Sequence, residues 1–237
     1  MLSSELTGLA GTLATSVYER IREDILIGRL QPGEKLRIDT LRQRYTVGGS
    51  PIREALNRLS SEGLVLQHDQ RGFGVLPASI EDLVELTRTR CQINEIMLRE
   101  SLSHGDSKWE ENVVLAHHRL SRTARYLKEL PETPNPEWEK HHSLFHSSLV
   151  AACGSRWLIN FSEFLFDLGD RYRHLVASFN RADRDSEAEH RMIFDAVIDR
   201  DVTAATHLLN VHITATCEQV RKYGLSHARS LDPEPAS

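Results

Sequence analysis

Ser50-Pro51-Ile52-Arg53-Glu54-Ala55-Leu56, continued by Leu59 and by Glu62-Gly63-Leu64-Val65, is the stretch whose reading decides the fold. Ser50 can cap a helix and Pro51 is suited to its first position, so the stretch predicts a helix from Ser50 to Glu62. Ile52, Ala55, Leu56 and Leu59 recur at helical spacing and form one apolar face. Arg53 and Asn57, four residues apart, share a polar face. Gly63 stops the helix.

Toward the N-terminus, Val17, Tyr18, Ile21, Ile25 and Leu26 mark a helix beginning near Thr15. Residues 1–12 are small and polar and are expected to fray. Gly28 caps the helix in a left-handed conformation, and Gln31-Pro32-Gly33 turns the chain. A short helix is expected from Asp39, as its cap, to Tyr45, followed by the tight connection Val47-Gly48-Gly49. Toward the C-terminus, Leu64-Val65-Leu66-Gln67 and Phe73-Gly74-Val75-Leu76 flank the loop His68 to Gly72 and read as a hairpin. Pro77 closes the segment. Helix, helix, turn, helix and hairpin together outline a winged helix-turn-helix over residues 13–77.

Beyond Pro77 the periodicity is helical throughout. Ser79-Ile80-Glu81-Asp82 has capping-box spacing. Six helices are expected: 79–102, 107–130, 137–153, 156–179, 186–199 and 202–223. The fold class is therefore mainly α: a winged helix-turn-helix with a small β-hairpin wing, then an all-helical bundle over 78–225 for effector binding and dimerisation. The tail 226–237 is polar, holds prolines and is expected to be disordered.

Charge supports a nucleic-acid reader at one end only. The chain carries a net −5. Residues 1–77 hold 10 Lys/Arg against 9 Asp/Glu, a balance of +1, which leaves −6 for residues 78–237. Within 37–58 stand Arg37, Arg42, Arg44, Arg53 and Arg58 against Asp39 and Glu54. A local basic patch is what a sequence-reading module needs. A helix of about 12 residues fits the major groove, with its first turn toward the base edges. Ser50 can offer a hydroxyl there, and Arg53 can bind guanine in bidentate fashion. Asn57 can read adenine or bind phosphate. Arg42 and Arg44 are placed for phosphate, while Arg71 and Gly72 at the hairpin tip reach the minor groove or the backbone. Three cysteines, Cys91, Cys153 and Cys217, lack metal spacing and fit reduced, buried thiols in a cytoplasmic protein. No run of 18 apolar residues occurs, so no membrane span is expected.

Four of the twelve histidines stand out. His142 and His146 lie four apart on one helix face. His190 and His212 flank the turn at Arg200-Asp201, each roughly 16 Å from it at 1.5 Å per residue. In an antiparallel helical hairpin they stand at one height and can meet the first pair. Imidazoles suit Zn²⁺, Ni²⁺, Cu²⁺ or Fe²⁺. On spacing alone, His141-His142 with His146 read more readily as a polar helix face. A metal-dependent enzyme is disfavoured: the paired Glu-x-x-His motifs of di-iron bundles, a phosphate-binding glycine loop and a Gly-x-Ser-x-Gly elbow are all missing.

The string around Arg53, with Thr40-Leu41 and Val47, resembles the GntR family of regulators over residues 15–77. Relatives often carry Ser-Arg-Thr before the proline, whereas here it is Gly48-Gly49-Ser50. The second half resembles the FCD effector domain of the FadR group, carried by Phe145-His146, Glu189-His190, Asp201 and His212-Ile213. That resemblance implies a ligand-responsive DNA-binding repressor that acts as a homodimer on a palindromic operator, with a metal and a carboxylate effector in the helical bundle. His146, His190 and His212 match the family's three histidine ligands, and His142 stands where the family usually has Asp. A four-His or three-His site follows, with Zn²⁺ or Ni²⁺ expected rather than Mg²⁺ or Ca²⁺. Further strings, among them Trp138, Ala151-Ala152-Cys153-Gly154 and Arg171-Tyr172-Arg173, resemble the glutarate-responsive, carbon-starvation branch, so a short dicarboxylate is the expected effector. Arg90 matches an arginine common in this domain, and Arg171 and Arg173 are further candidates for the far carboxylate. A regulator that senses the metal itself is the alternative.

Overall fold

The computed structural model describes residues 2–68, 72–130, 133–176 and 184–223, with backbone alone at 2–12, 68, 176 and 223. By contacts among Cα atoms the chain divides into two compact units, Met1–Ser79 and Ile80–Ser237. Among the described residues nine helices and one small sheet are present. None of these helices is long and apolar enough to cross a membrane.

The first unit runs α1 (Leu2–Leu26), β1 (Lys35–Leu36), α2 (Ile38–Tyr45), α3 (Gly49–Ser61), β2 (Val65–His68) and β3 (Gly72–Val75). Helix α1 includes the segment expected to fray: Leu2, Glu5, Leu6, Leu9 and Ala10 favour the helix upstream, against Gly8, Gly11 and the weaker Ser and Thr positions. Ile52, Leu56 and Leu59 of α3 are fully buried, each stabilising the unit by roughly 1.5–3 kcal/mol. They pack against α1 and α2.

Two expected caps are corrected. Asp39 lies inside the first turn of α2, whose N-cap is Arg37. Ser50 is likewise inside α3, whose N-cap is Gly48, so Pro51 falls at the third helical position rather than the first. Neither cap residue supplies a side-chain hydrogen bond.

The sheet has three strands in the order β1-β3-β2, all antiparallel. The sequence predicts no strand at β1. Its two residues, opposite Gly74 and Phe73, carry no pattern of their own. Gly72 opens β3 at φ 87°, a left-handed conformation that favours glycine.

The second unit runs α4 (Ile80–His104), α5 (Ser107–Arg122), α6 (Pro136–Val150), α7 (Arg156–Val176), α8 (Ser186–Ile198) and α9 (Val202–Tyr223). Helix α4 packs on α6, α7 and α9, and the α8–α9 hairpin packs beside it through α9. Met97, Leu98, Phe145, Leu149, Ile193, Val197 and Ala205 form the heart of the core. The expected helix 107–130 ends at Arg122. Thr123 is extended, and an isolated bridge joins Tyr126 to Pro134. Leu127 and Leu130 gave the false helical period, which a proline-rich return toward α6 overrides. Asn135 caps α6 by accepting from Glu137 N at 3.1 Å, with Pro136 at the first position. The tail expected to be disordered lies outside the described residues.

Candidate metal centre and nucleic-acid interface

Helix α6 offers His142 and His146, α8 offers His190 and α9 offers His212. Each presents one ligand nitrogen, and these four atoms all lie within 4.8 Å of one another. His142 Nε2 and His146 Nε2 are 3.2 Å apart. Two nitrogens bound at 2.0–2.1 Å to one tetrahedral ion would be about 3.3 Å apart. The rings of His190 and His212 have centroids 4.7 Å apart. His142, His190 and His212 are buried.

Burial pushes the pKa values of His142, His146 and His190 well below the ordinary imidazole value, and their mutual repulsion adds to this. His212 is lowered too, by burial first, although Glu189 opposes it. At neutral pH the cluster is a set of uncharged lone-pair donors. His190 Nε2 and His142 Nδ1 are buried and lack a hydrogen-bond partner. A ligand set that leaves a buried nitrogen unsatisfied, with neutral donors converging on one point, fits a divalent transition metal.

The ring orientations have identifiable causes. Trp138, one turn before His142, stacks on its ring at 4.7 Å and 13°. Glu189 Oε2 lies 2.7 Å from His212 Nδ1, which leaves Nε2 of that ring toward the cluster. Arg184 holds Glu189 in turn: Nε donates to Oε1 at 2.6 Å, and Nη2 donates to Oε2 and to the His212 carbonyl at 2.8 Å. Burial raises the pKa of Glu189, but the bonds from Arg184 and His212 win and bring it down to about 2. A carboxylate behind a histidine fixes its tautomer and strengthens it as a ligand. Glu189→Gln is therefore expected to weaken metal affinity by about 10–100-fold, read by competition with a chromophoric chelator. Unchanged affinity would show that Glu189 has no hold on the ligand ring.

Cavities of about 30 and 60 Å³ adjoin the cluster. Both are lined by Arg90, His146, Phe166 and Ile213. Arg90 makes no ion pair among the described residues, its Nε is buried without a partner, and its guanidinium lies 5.5 Å from the Phe166 ring centroid. Gly169 of α7 leaves room for it, since a Cβ there would overlap Nη1 and stand 2.8 Å from Cζ. Arg173 also borders the smaller cavity, but its guanidinium is engaged. Nε donates to Asp170 Oδ1 at 2.7 Å, and the Nη atoms donate to both Glu139 oxygens. Arg171 lines neither cavity. It is buried elsewhere on α7, and Tyr172 and Asp82 are its electrostatic neighbours. The sequence assigns no role at the site to Glu189, Arg184 or Arg125. A signal for the first was present, because Glu189 is next to His190 and so shares its height with His212 across the α8–α9 hairpin.

In the first unit Ser50, Arg53 and Asn57 are exposed on α3. With no side chain capping that helix, the backbone N–H groups of Gly49 and Ser50 are free of any N-cap acceptor, an arrangement suited to phosphate, while Pro51 offers none. Arg42 is exposed and bonds Asp39 Oδ1 at 3.1 Å. Arg44 reaches the buried Asp24 at 3.0 Å, beside the Tyr45 hydroxyl that donates to the same carboxylate at 2.7 Å. That pairing ties α2 to α1. Gly72 is exposed at the start of β3, and Arg71 lies outside the described residues.

Comparison with known proteins places this geometry. The family model for bacterial regulatory proteins of the gntR family matches residues 13–75, and the FCD domain model matches residues 85–215. The chain belongs to the GntR family. It is a DNA-binding transcriptional regulator of the GntR/FCD type and not an enzyme. The regulator is 38% identical to the HTH-type transcriptional regulator BphR of Paraburkholderia xenovorans strain LB400, over 90% of this chain and 87% of that one. It is 33% identical to the HTH-type transcriptional repressor GlaR of Escherichia coli K12, over 83% and 90%. In fold it is similar to E. coli McbR/YncC, with a TM-score of 0.71 at 17% identity over 89% of the regulator and 97% of that chain. A GntR regulator from Rhodococcus sp. RHA1 gives 0.70 at 22% identity, over 88% and 97%.

Proposed function

We propose that this regulator is a cytoplasmic repressor that binds a palindromic operator as a homodimer and releases it when a small carboxylate binds beside a divalent transition metal in the helical unit. The observation that carries this reading is the meeting of four neutral imidazoles with an unpaired guanidinium, Arg90, at one pair of small cavities. The name of GlaR as a repressor supports the sign of regulation. His142, His146, His190 and His212 would hold the ion, which polarises and anchors an anion when bound. Arg90 then donates to a carboxylate by charge-assisted hydrogen bonds. A short dicarboxylate such as glutarate is the effector class favoured. Release of DNA requires that the acid bind the low-affinity arrangement better than the operator-bound one.

The test is metal analysis and thermal melting of the purified chain with C4 to C6 carboxylates, before and after chelation. The expected result is one metal per chain and a melting increase from an acid that disappears with the metal. An acid that stabilises metal-free protein equally would remove the ion from the site. Metal alone releasing operator DNA, with no acid effective, would make the ion the signal.

For DNA, Arg53 and Asn57 would read base edges, Ser50 and Arg42 would contact backbone, and Gly72 would let the wing approach closely. Arg44 would approach phosphate from its seat on Asp24. Arg53→Ala is expected to cost about 1–3 kcal/mol at the cognate operator and far less on scrambled DNA. Fluorescence anisotropy at fixed salt checks this. Equal weakening on both sequences would make Arg53 a phosphate contact instead.

A further inference from the structure

Four arginines line the smaller cavity beside the histidines: Arg90, Arg125, Arg173 and Arg184. Two are neutralised, Arg173 by Glu139 and Asp170, and Arg184 by Glu189. The other two face no carboxylate within ion-pair distance among the described residues. Arg125 leaves the chain in the irregular segment after α5. Its guanidinium lies 5.3 Å from the Trp138 ring centroid and 5.6 Å from that of Tyr126. Among the described residues its side chain donates from Nη1 to Ser186 Oγ at 3.3 Å. Burial lowers the pKa of both Arg90 and Arg125. A guanidinium does not give up its proton in a protein, so each remains a partly desolvated cation, attracted by Asp170 and Asp167 at Arg90 and by Glu139 at Arg125 but in an ion pair with none of them.

The two stand at different boundaries of the same space. Arg90 lines the central cavity and the 60 Å³ one. Arg125 lines the central cavity and a cleft of about 330 Å³. Acidic residues border that cleft, but they are committed elsewhere. Asp185 caps α8 by accepting from Ala188 N at 2.9 Å, and Glu187 faces Arg191 at 3.5 Å. The central cavity, with room for roughly two waters, admits a carboxylate-sized group but not a whole five-carbon acid. A ligand must extend through it, past one arginine or the other.

We propose that Arg125, with Ser186, is a second carboxylate position of the effector site, so that the ligand is a diacid with one carboxylate at Arg90 beside the histidines and the other at Arg125. This rests on the carboxylate-effector reading above and adds to it a residue that sets specificity. A monoacid satisfies one guanidinium and leaves the other half-buried without an ion pair. Charge-assisted hydrogen bonds of this kind separate diacid from monoacid on the order of tenfold or more.

The experiment is calorimetric titration of the zinc-loaded full chain with glutarate and with valerate, a diacid and a monoacid of equal carbon number. Wild type is expected to bind glutarate at least about tenfold tighter. Arg125→Gln should bring the two acids to near parity by weakening glutarate alone, with metal content unchanged. Should that variant fail to fold, Arg125→Lys carries the test, since its single ammonium head should lower glutarate affinity and leave valerate's as it was. Equal affinity of wild type for both acids, or equal weakening of both in the variants, overturns the role of Arg125 and leaves the carboxylate site standing. Binding of neither acid to wild type fails the effector reading itself, and this one with it.

Discussion

Arg173→Ala is expected to destabilise the helical unit by about 3–5 kcal/mol, which for a unit of this size lowers its melting temperature by roughly 10 °C. The reason is what remains behind. Glu139 and Asp170 are largely buried, and the Arg173 guanidinium bridges them. Burial raises the pKa of Asp170, yet Arg173 overrides it and brings the value from 3.8 down to about 2. Removing the cation leaves two carboxylates in a poorly hydrated place with, among the described residues, only the His174 imidazole, 3.7 and 3.8 Å away, beside them. The sign of the pH dependence follows. A folded-state pKa below the unfolded one contributes stability that is present above about pH 4 and is lost as pH falls toward 2. Wild type should lose that increment on acidification, and Arg173→Ala should show a shallower acid slope because the increment is already gone. Replacing all three charges, Arg173→Met with Glu139→Gln and Asp170→Asn, should recover much of the loss. Differential scanning calorimetry from pH 3 to 7 reads both effects. A variant that melts like wild type would free Arg173 for the ligand role that its place in the sequence suggested.

The second large effect is on metal. His190→Ala is expected to abolish stoichiometric metal, with a loss of affinity beyond the 10–100-fold attached to a supporting carboxylate. His190 is buried, and its Nε2 has no other partner. In wild type, metal at a hundredfold above its Kd stabilises the fold by about 2.7 kcal/mol, so a chelator should lower the melting temperature. In the variant the chelator should change nothing. Metal per chain, measured by mass spectrometry, does not depend on how the substitution affects packing. A variant that purifies with a full complement of metal would move the centre away from these four residues.

Much of this was legible in the sequence because local pattern and tertiary outcome agree. Helix α9 begins and ends where its period and flanking turn say it should. The histidine quartet was visible because a helical hairpin turns sequence distance into height, and His190 and His212 are nearly equidistant from Arg200-Asp201. What was not legible depends on partners far away. The strand β1 exists because β3 offers a ladder, and two residues cannot announce that. The end of α5 at Arg122 was masked by Leu127 and Leu130, which keep a helical period in a segment that is not helical. Arg171 and Arg173 looked interchangeable, yet two residues on a helix differ by about 200° in direction, so only one can face a given cavity. That Arg173 is neutralised needed Glu139, on another helix, to be seen beside it.

His142, as one of the four converging side chains, shapes the charge of the interior. An aspartate in that position would cancel part of a divalent ion's charge, whereas four neutral imidazoles cancel none. With an ion bound, the middle of this bundle would hold the ion's full charge together with the unpaired guanidinium of Arg90. Proteins seldom finish a core with so much of one sign. Asp170 at the cavity and Glu189 behind His212 are already shared with Arg173 and Arg184, so a small anion from solution would offset the remainder. In that light a bound acid would be a structural part that the polypeptide omits, and the regulator would read its concentration by how often it is whole.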